Sequence, residues 1–429
     1  MRLTKPENSN YCGTIVEIKN IIPLDKCDNV VGTTIFGFQA IISKETPVGT
    51  VGIVFPAETQ LSEEYCKENN LFRHKENNAD KTKTGYIEDN RRVKAVKFRG
   101  HPSSCLFMPL SSLSYVLGHR IKDFNVGDEF DEIDGNKICQ KYVVKIRIGR
   151  ANRQPKSRQF VRVDTKYIPE HFTTDNYFKN KDHIAPHETV IVTQKIHGTS
   201  IRIANTIVKR KRTIRDWLAS LIGVKVQATE FDMVFGSRKV IKDINNPHHN
   251  HFYDVAKDGV DLWTREGKKL DGLVPENFVI YGEIVGWTDT GAPIQSGYTY
   301  NLPQGTCQLY IYRVAIVNEK GLVTDLTWDQ IIEFCNQRNL KYVPQLFKGM
   351  HSNFVIEDYL DRKFSATIPA ALKLDDNGTV DEGVCIRVDK LTPYILKAKS
   401  PKFFEHETSL LDKGEVDMES SEPLDPLSN

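Results

Sequence analysis

The stretch TQKIHGTS delivers Lys195 from the end of an alternating apolar run into a turn of small and polar residues. A lysine amine, with an ordinary pKa of ~10.4, is a nucleophile only when partly deprotonated, which desolvation or nearby positive charge, a bound metal included, achieves. Gly198 permits a tight turn and close approach to a ligand, while Thr199 and Ser200 offer hydroxyls to phosphate or ribose oxygens. By themselves these residues better describe a surface lysine in a hairpin, since Lys followed by a Gly turn is common. Later segments change the weighing. Arg238 stands beside Lys239 in GSRK, Glu283 follows the apolar run VIYG, Glu382 opens EGVCIR, and Lys397 and Lys399 alternate in LKAKS. Cations neutralise nonbridging phosphate oxygens and a departing pyrophosphate, and carboxylates hold a divalent metal directly or through its waters. The set suits phosphoryl transfer, with the two lysines of one strand face reaching one phosphate.

These residues need a scaffold of strands. From about residue 166, TVIVTQKI, SIRIAN, MVFGSRKVI, FVIYGEIVG, QLYIYRVAIV, EGVCIRVD and YILKAKS read as strands, and TWDQIIEFCNQRNL has helical periodicity with an acidic residue near its start. Several strands end in charged residues, as expected where a sheet meets a ligand cleft. Residues 11–145 read as all-β: TIVEIKNII, GFQAIIS, VGIVFP, RVKAVKFRG and YVVKIRI are short runs between Gly, Pro and Asn-rich turns, spaced as in a small barrel. The polar, basic stretch IGRANRQPKSRQFVRVD reads as a linker, and the boundary falls near 165.

Length and charge fit this division. A chain of 429 residues exceeds what one core usually supports. The first 404 residues carry 57 basic and 48 acidic side chains, whereas the rest hold eight acids against Lys413 alone. The body therefore favours a polyanion, and the segment from 405 reads as an acidic, disordered tail. No apolar stretch approaches the ~20 residues of a membrane helix, and the start MRLTKPENSN is not a signal peptide. Eight cysteines scattered singly argue for a reducing, intracellular compartment, cytoplasmic or nuclear.

The order KIHGTS, GSRK, VIYGEIVG, LYIYRVAI, EGVCIR, LKAK resembles the six motifs of the covalent nucleotidyltransferase superfamily of ligases and capping enzymes, over roughly residues 166–400. His197 at the third position and Thr199 after the glycine are similar to RNA ligases, where DNA ligases and capping enzymes usually carry KxDG. Residues 14–115, through VEIKNIIPLDKCDNV, GFQAIISKETPVGTVGIVFPAETQL and RVKAVKFRGHPSSCLFMPLSSL, resemble the N-terminal OB module of one ATP-dependent RNA ligase family. The resemblance implies an α+β chain: an OB-like β-barrel and linker over 1–165, an α/β nucleotidyltransferase domain, ATP-grasp-like and built on antiparallel sheets, over 166–404, and the tail over 405–429.

It also implies roles. Lys195 would attack the α-phosphorus of ATP, with Glu382, Lys397 and Lys399 as catalytic partners and the two lysines on the α-phosphate. Gln194, His197, Gly198, Arg238, Glu283 and Tyr312 would form the nucleotide site, with Gln194 on the adenine edge and Tyr312 stacked on the base, Tyr310 being its alternate. Where relatives have an Asp, His197 supplies no carboxylate, so Mg2+ or Mn2+ would fall to Glu283 and Glu382. The implied partner is RNA or an RNA-containing nicked duplex, with no membrane and a monomeric enzyme. A DNA ligase, a capping guanylyltransferase and a noncatalytic RNA-binding protein are the alternatives, although in the first two the OB module usually follows the transferase domain. The histidines of PHHNH (His248, His249, His251) read as a solvated loop. KRKRTIRDWLASLIGV from 209 is a basic segment running into an amphipathic helix, either facing RNA or solvated.

Overall fold

The computed structural model describes residues 2–146, 162–211, 213–242, 261–361, 364, 367–375, 379–413 and 422–423. The N-terminal runs give β1 (Gly13–Glu17), β2 (Val30–Ile35), β3 (Phe38–Ser43), β4 (Val51–Pro56), β5 (Cys105–Pro109) and β6 (Glu129–Phe130). Strands β6-β1-β4-β5 make an antiparallel sheet, and β2 and β3 make a separate hairpin. The hairpin is joined to that sheet by side chains: Val31, Ile35, Phe38, Ala40 and Ile42 bury against Val16, Ile18 and Val54. Among the described residues no ladder runs around a closed ring, so the expected barrel is an open sheet with a hairpin packed on it. RVKAVKFRG yields only the exposed strand Val96–Phe98, because Arg99 and Gly100 turn the chain with φ of 50° and 89°. YVVKIRI yields only Lys145–Ile146 as strand, and most of the basic linker lies outside the described residues.

The C-terminal half is two facing sheets. One has the order β7-β17-β16-β8-β15, formed by β7 (Asp175–Asn176), β8 (Thr189–Lys195), β15 (Gln345–Met350), β16 (Gly383–Val388) and β17 (Tyr394–Lys399). Its pairings are antiparallel except β7 with β17. The other has the order β11-β10-β9-β12-β13-β14, formed by β9 (Thr199–Lys209), β10 (Thr229–Gly236), β11 (Ile241–Lys242), β12 (Phe278–Gly286), β13 (Cys307–Val317) and β14 (Val323–Asp325). Strand β8 is apolar on both faces because it is covered on both: Val190 and Val192 join one core with Val384, Ile386 and Leu396, while Ile191 joins the core of the other sheet with Ile201 and Ile284. Helix α2 (Trp328–Gln337) begins at Thr327 with a capping box to Gln330.

Two further helices matter below: α1 (Ile214–Leu221), between β9 and β10, and α3 (Pro401–Asp412), after β17. Residues 405–412, expected to open a disordered tail, are the last turns of α3. The reason is packing: Phe403 is 1% and Thr408 5% exposed, and Phe404 sits 4.9 Å from the Phe38 ring of the N-terminal half. The PHHNH histidines and residues 414–420 lie outside the described residues.

Candidate active site

Lys195 ends β8 and Thr199 begins β9, so Ile196, His197 and Gly198 carry the chain from one sheet to the other. This is why a strand delivers a lysine into a turn of small residues. Across β8, β16 and β17 the register pairs Lys195 with Gly383 and Gly383 with Lys399, then Thr193 with Cys385 and Cys385 with Lys397. Alternation therefore puts Lys195, Lys397 and Lys399 on one face. On the second sheet Ser200 pairs with Glu283, and Glu283 with Tyr310. Gly198 is demanded by close packing: a Cβ there would lie 2.2 Å from the Ile284 carbonyl oxygen. Gly383, with φ +139°, is demanded more strongly, since its Cβ would lie 2.0 Å from the Ala398 oxygen. Without that glycine β16 could not draw Glu382 and the lysines together.

Glu382 is the electrostatic centre. It is 5% exposed, its Oε1 lies 2.8 Å from Lys195 Nζ and 3.8 Å from Lys399 Nζ, and its Oε2 lies 3.4 Å from His197 Nδ1 without a hydrogen-bond partner. Burial works to raise the Glu382 pKa, but Lys195, His197 and Lys399 outweigh it and hold the carboxyl well below the usual range. Burial likewise works to lower the Lys195 pKa, but Glu382, then Cys385 and Glu283, raise it, so the resting amine is charged. Lys399 is raised too, Glu407, Tyr11 and Glu382 prevailing over burial. Lys397 is the exception: burial and the like charges of Lys399, Lys195 and Arg238 push it down to about 7. Four cations thus share one neighbourhood, and Lys397 bears the repulsion.

The other anticipated residues divide. Ser200 Oγ donates to Glu283 Oε2 at 3.3 Å, placing that carboxylate beside the sheet crossing. Arg238, just past β10, lies in the fields of Lys397 and His171. The His197 N–H donates to Tyr300 Oη at 2.7 Å, and its ring packs on Tyr298 and Phe403. Gln194, by alternation, is on the opposite face from Lys195, and its amide donates to the Leu372 carbonyl (3.1 Å) and Asp381 (3.3 Å) and accepts from the Leu372 N–H (2.8 Å). Both amide protons are committed to the protein, so this structure shows Gln194 closing a loop where an adenine contact was expected. A bulge opposite Tyr281 and Gly282 turns Tyr312 toward His171, with Tyr312 Oη 2.7 Å from His171 Nδ1, while Tyr310 stays opposite Glu283.

Three residues escaped the sequence reading. Glu407 of α3 pairs with Lys399 at 3.1 Å, inside the segment taken for a tail. Tyr11, from the N-terminal half, lies in the field of Lys399 and Glu407, its hydroxyl pushed up to about 12 by burial. His171 bridges Tyr281 and Tyr312, held neutral by burial and by Arg238, Arg202 and Arg313. For α3 a signal existed: Ser400 followed by Pro401 at the first helical position, then Phe403, Phe404, Leu410 and Leu411 at helical spacing. The other two are brought in by topology alone.

Residues 188–399 match the family model described as RNA ligase. No curated protein matches the chain. Among solved structures, a Naegleria gruberi RNA ligase with PPi superimposes with a TM-score of 0.57 at 17% identity, covering 92% of this chain and 98% of that chain. A mutant of that ligase with ATP and Mn gives 0.55 at 15% identity with the same coverage. The fold is thus shared along most of both chains. Residues 188–399, just under half of the chain, thus carry the similarity to the RNA ligase family.

Proposed function

We propose that the protein is an ATP-dependent RNA ligase that joins a 3′-OH to a 5′-phosphate. The observation that carries this reading is the Lys195–Glu382 pair at 2.8 Å, set at a sheet crossing among Lys397, Lys399 and Arg238. Once deprotonated, Lys195 Nζ attacks the α-phosphorus of ATP, the bond to the bridging oxygen breaks, and pyrophosphate leaves with that oxygen's electron pair, giving a lysyl-AMP phosphoramidate. The RNA 5′-phosphate then takes the AMP from Lys195, and the 3′-OH displaces AMP to form the phosphodiester. Lys397 and Lys399 neutralise charge on the α-phosphate, and bound phosphate relieves the repulsion that Lys397 bears. Arg238 and Glu283 hold the ribose and AMP, and Tyr312 or Tyr310 stacks on adenine.

A divalent cation fits this site. Glu382 Oε2 is a buried carboxylate oxygen with no hydrogen-bond partner, and Glu283 stands at the same crossing. Among the described residues no three His, Cys, Asp or Glu converge as a complete cage, which suits an Mg2+ or Mn2+ that takes its other ligands from phosphates and water. When bound, such an ion would compete with Lys195 for Glu382 and favour the neutral amine. The N-terminal half, read as an OB-like module over 1–165, grips the nucleic acid beside the catalytic half that starts near 166. No helix among the described residues is long and apolar enough to cross a membrane.

Label from α-labelled ATP should attach to the protein, survive denaturation and vanish in Lys195→Ala; full labelling of that variant would sink the assignment. Substrate identity is tested with nicked duplexes that differ only in sugars. A ligase distinguishes RNA from DNA through the 2′-OH or the A-form geometry it favours. Ribonucleotides on the 3′-OH side should therefore permit sealing, whereas equal sealing of an all-DNA nick would favour a DNA ligase.

A further inference from the structure

Helix α1 presents its apolar side to solvent. Ile214, Trp217, Leu218 and Leu221 stand at i, i+3, i+4 and i+7, and they are 80%, 59%, 52% and 64% exposed; Ile222 and Val224 follow at 79% and 53%. Buried faces normally carry this spacing. The helix is set locally: the Thr213 N–H donates to Asp216 Oδ2 at 2.7 Å, the Asp216 N–H returns to Thr213 Oγ1 at 3.3 Å, and Asp216 pairs with Arg210. The surrounding sequence is basic, with Lys209, Arg210, Lys211, Arg212, Arg215 and Lys225 against Asp216 between residues 207 and 226. Strand β9 separates this hairpin from the Lys195 turn by 11 residues, roughly 33 Å of extended chain.

We propose that the β9–β10 connection is a peripheral membrane-binding element for anionic lipid surfaces. Charge complementarity selects the occupant. Lipid phosphates and carboxylates take the lysines and arginines, while the acyl boundary takes the Ile, Trp and Leu stripe, as for amphipathic helices lying in the bilayer interface. RNA would satisfy the cations but leave the aliphatic side chains of Ile214, Leu218 and Leu221 in water. Because the element lies at the far end of β9, a ligase docked through it keeps the sheet crossing accessible to nucleic acid.

The test uses the full chain with phosphatidylcholine vesicles, with and without phosphatidylserine. Wild type should sediment with the phosphatidylserine vesicles at least about tenfold more than with phosphatidylcholine alone, and less as salt rises. Among the four tryptophans Trp263 and Trp328 are buried and Trp287 is half-buried, so a blue shift of fluorescence on binding reports chiefly on Trp217. Leu218→Glu with Leu221→Glu should abolish sedimentation and the shift; Lys209→Gln with Lys211→Gln should reduce sedimentation about tenfold. Both pairs should keep ATP labelling, since these positions are surface-exposed and remote from Lys195. No association of wild type with either vesicle overturns the proposal, as does association that survives the double glutamate variant. A wild-type dimer split by those glutamates, or RNA binding lost through them without vesicle binding, would assign the surface to a second copy or to RNA instead.

Discussion

Helix α3 is acidic and fully engaged; helix α1 is flanked by basic residues and turns its apolar stripe outward. Asp412 of α3 reaches Lys94 at 2.9 Å and Arg92 at 3.3 Å, Thr408 Oγ1 donates to Glu58 at 3.0 Å, Glu405 meets Lys97 at 2.7 Å and Glu407 meets Lys399 at 3.1 Å. One helix therefore touches both the N-terminal half and the lysine cluster. Composition gives the wrong expectation for α3 because its acids look like a solvated tail until their basic partners, more than 300 residues earlier for Arg92 with Asp412, are known. Periodicity describes α1 as amphipathic, and its stripe is indeed present. What periodicity cannot state is whether anything in the same chain covers that stripe.

The largest break in this comparison should come from truncation. Ending the chain after Ser400 removes Phe403, Thr408 and Glu407 together, and labelling by ATP should fall at least about a hundredfold with a lower melting temperature. Ending it after Lys413 should preserve both. Unchanged labelling of the shorter protein would return α3 to the status of a tail. Next, Phe403→Ala should cost about 3–5 kcal/mol, because a buried aromatic packed on His197 and Tyr298 leaves a cavity beside the Lys195 turn. Leu218→Ser on α1 should change stability by less than about 0.5 kcal/mol. Chemical denaturation of the pair measures the contrast directly, and equal costs would erase it.

A smaller effect follows from Glu58, which burial, aided by Glu407 and opposed by Arg92, pushes up to about 7. A folded-state pKa above the unfolded value means that its contribution to stability is complete below about 4.5 and lost as pH rises through about 7. Faced by Arg92, Thr408, Glu407 and Lys399, Glu58 should thus make the seating of α3 up to about 3 kcal/mol less favourable at pH 8 than at pH 4. Melting curves across that range should show the decline in wild type and a flatter profile in Glu58→Gln. A steeper profile in the variant would reverse the assignment.

Much of the C-terminal half is legible because its signals are local. β-branched alternation marks β8, β9, β12 and β16, and the lysines two apart in LKAKS must share a face. The same rule shows why Gln194 and Lys195 part company, since neighbours on a strand point oppositely. The bulge in β13 was not legible, because one extra residue resets which tyrosine faces His171 without leaving a pattern in LYIYRV. Nor was Gly383 as a packing requirement: its need arises from the Ala398 carbonyl on the next strand. The N-terminal strands were legible individually, but how far they close on one another depends on contacts between turns.

The pairing of Lys195 with Gly383 also has a consequence for biosynthesis. The two positions are 188 residues apart, a separation that takes roughly 10 to 40 s to translate at ordinary rates. Throughout that interval β8 has emerged without β16, its neighbour in the finished sheet, and Lys195 without Glu382. The Lys195–Glu382 pair therefore cannot form until almost the whole chain has been synthesised, while an apolar strand awaits its partner. Slow refolding limited by this long-range closure is the expected consequence of drawing Lys195 and Glu382 from opposite ends of the C-terminal half.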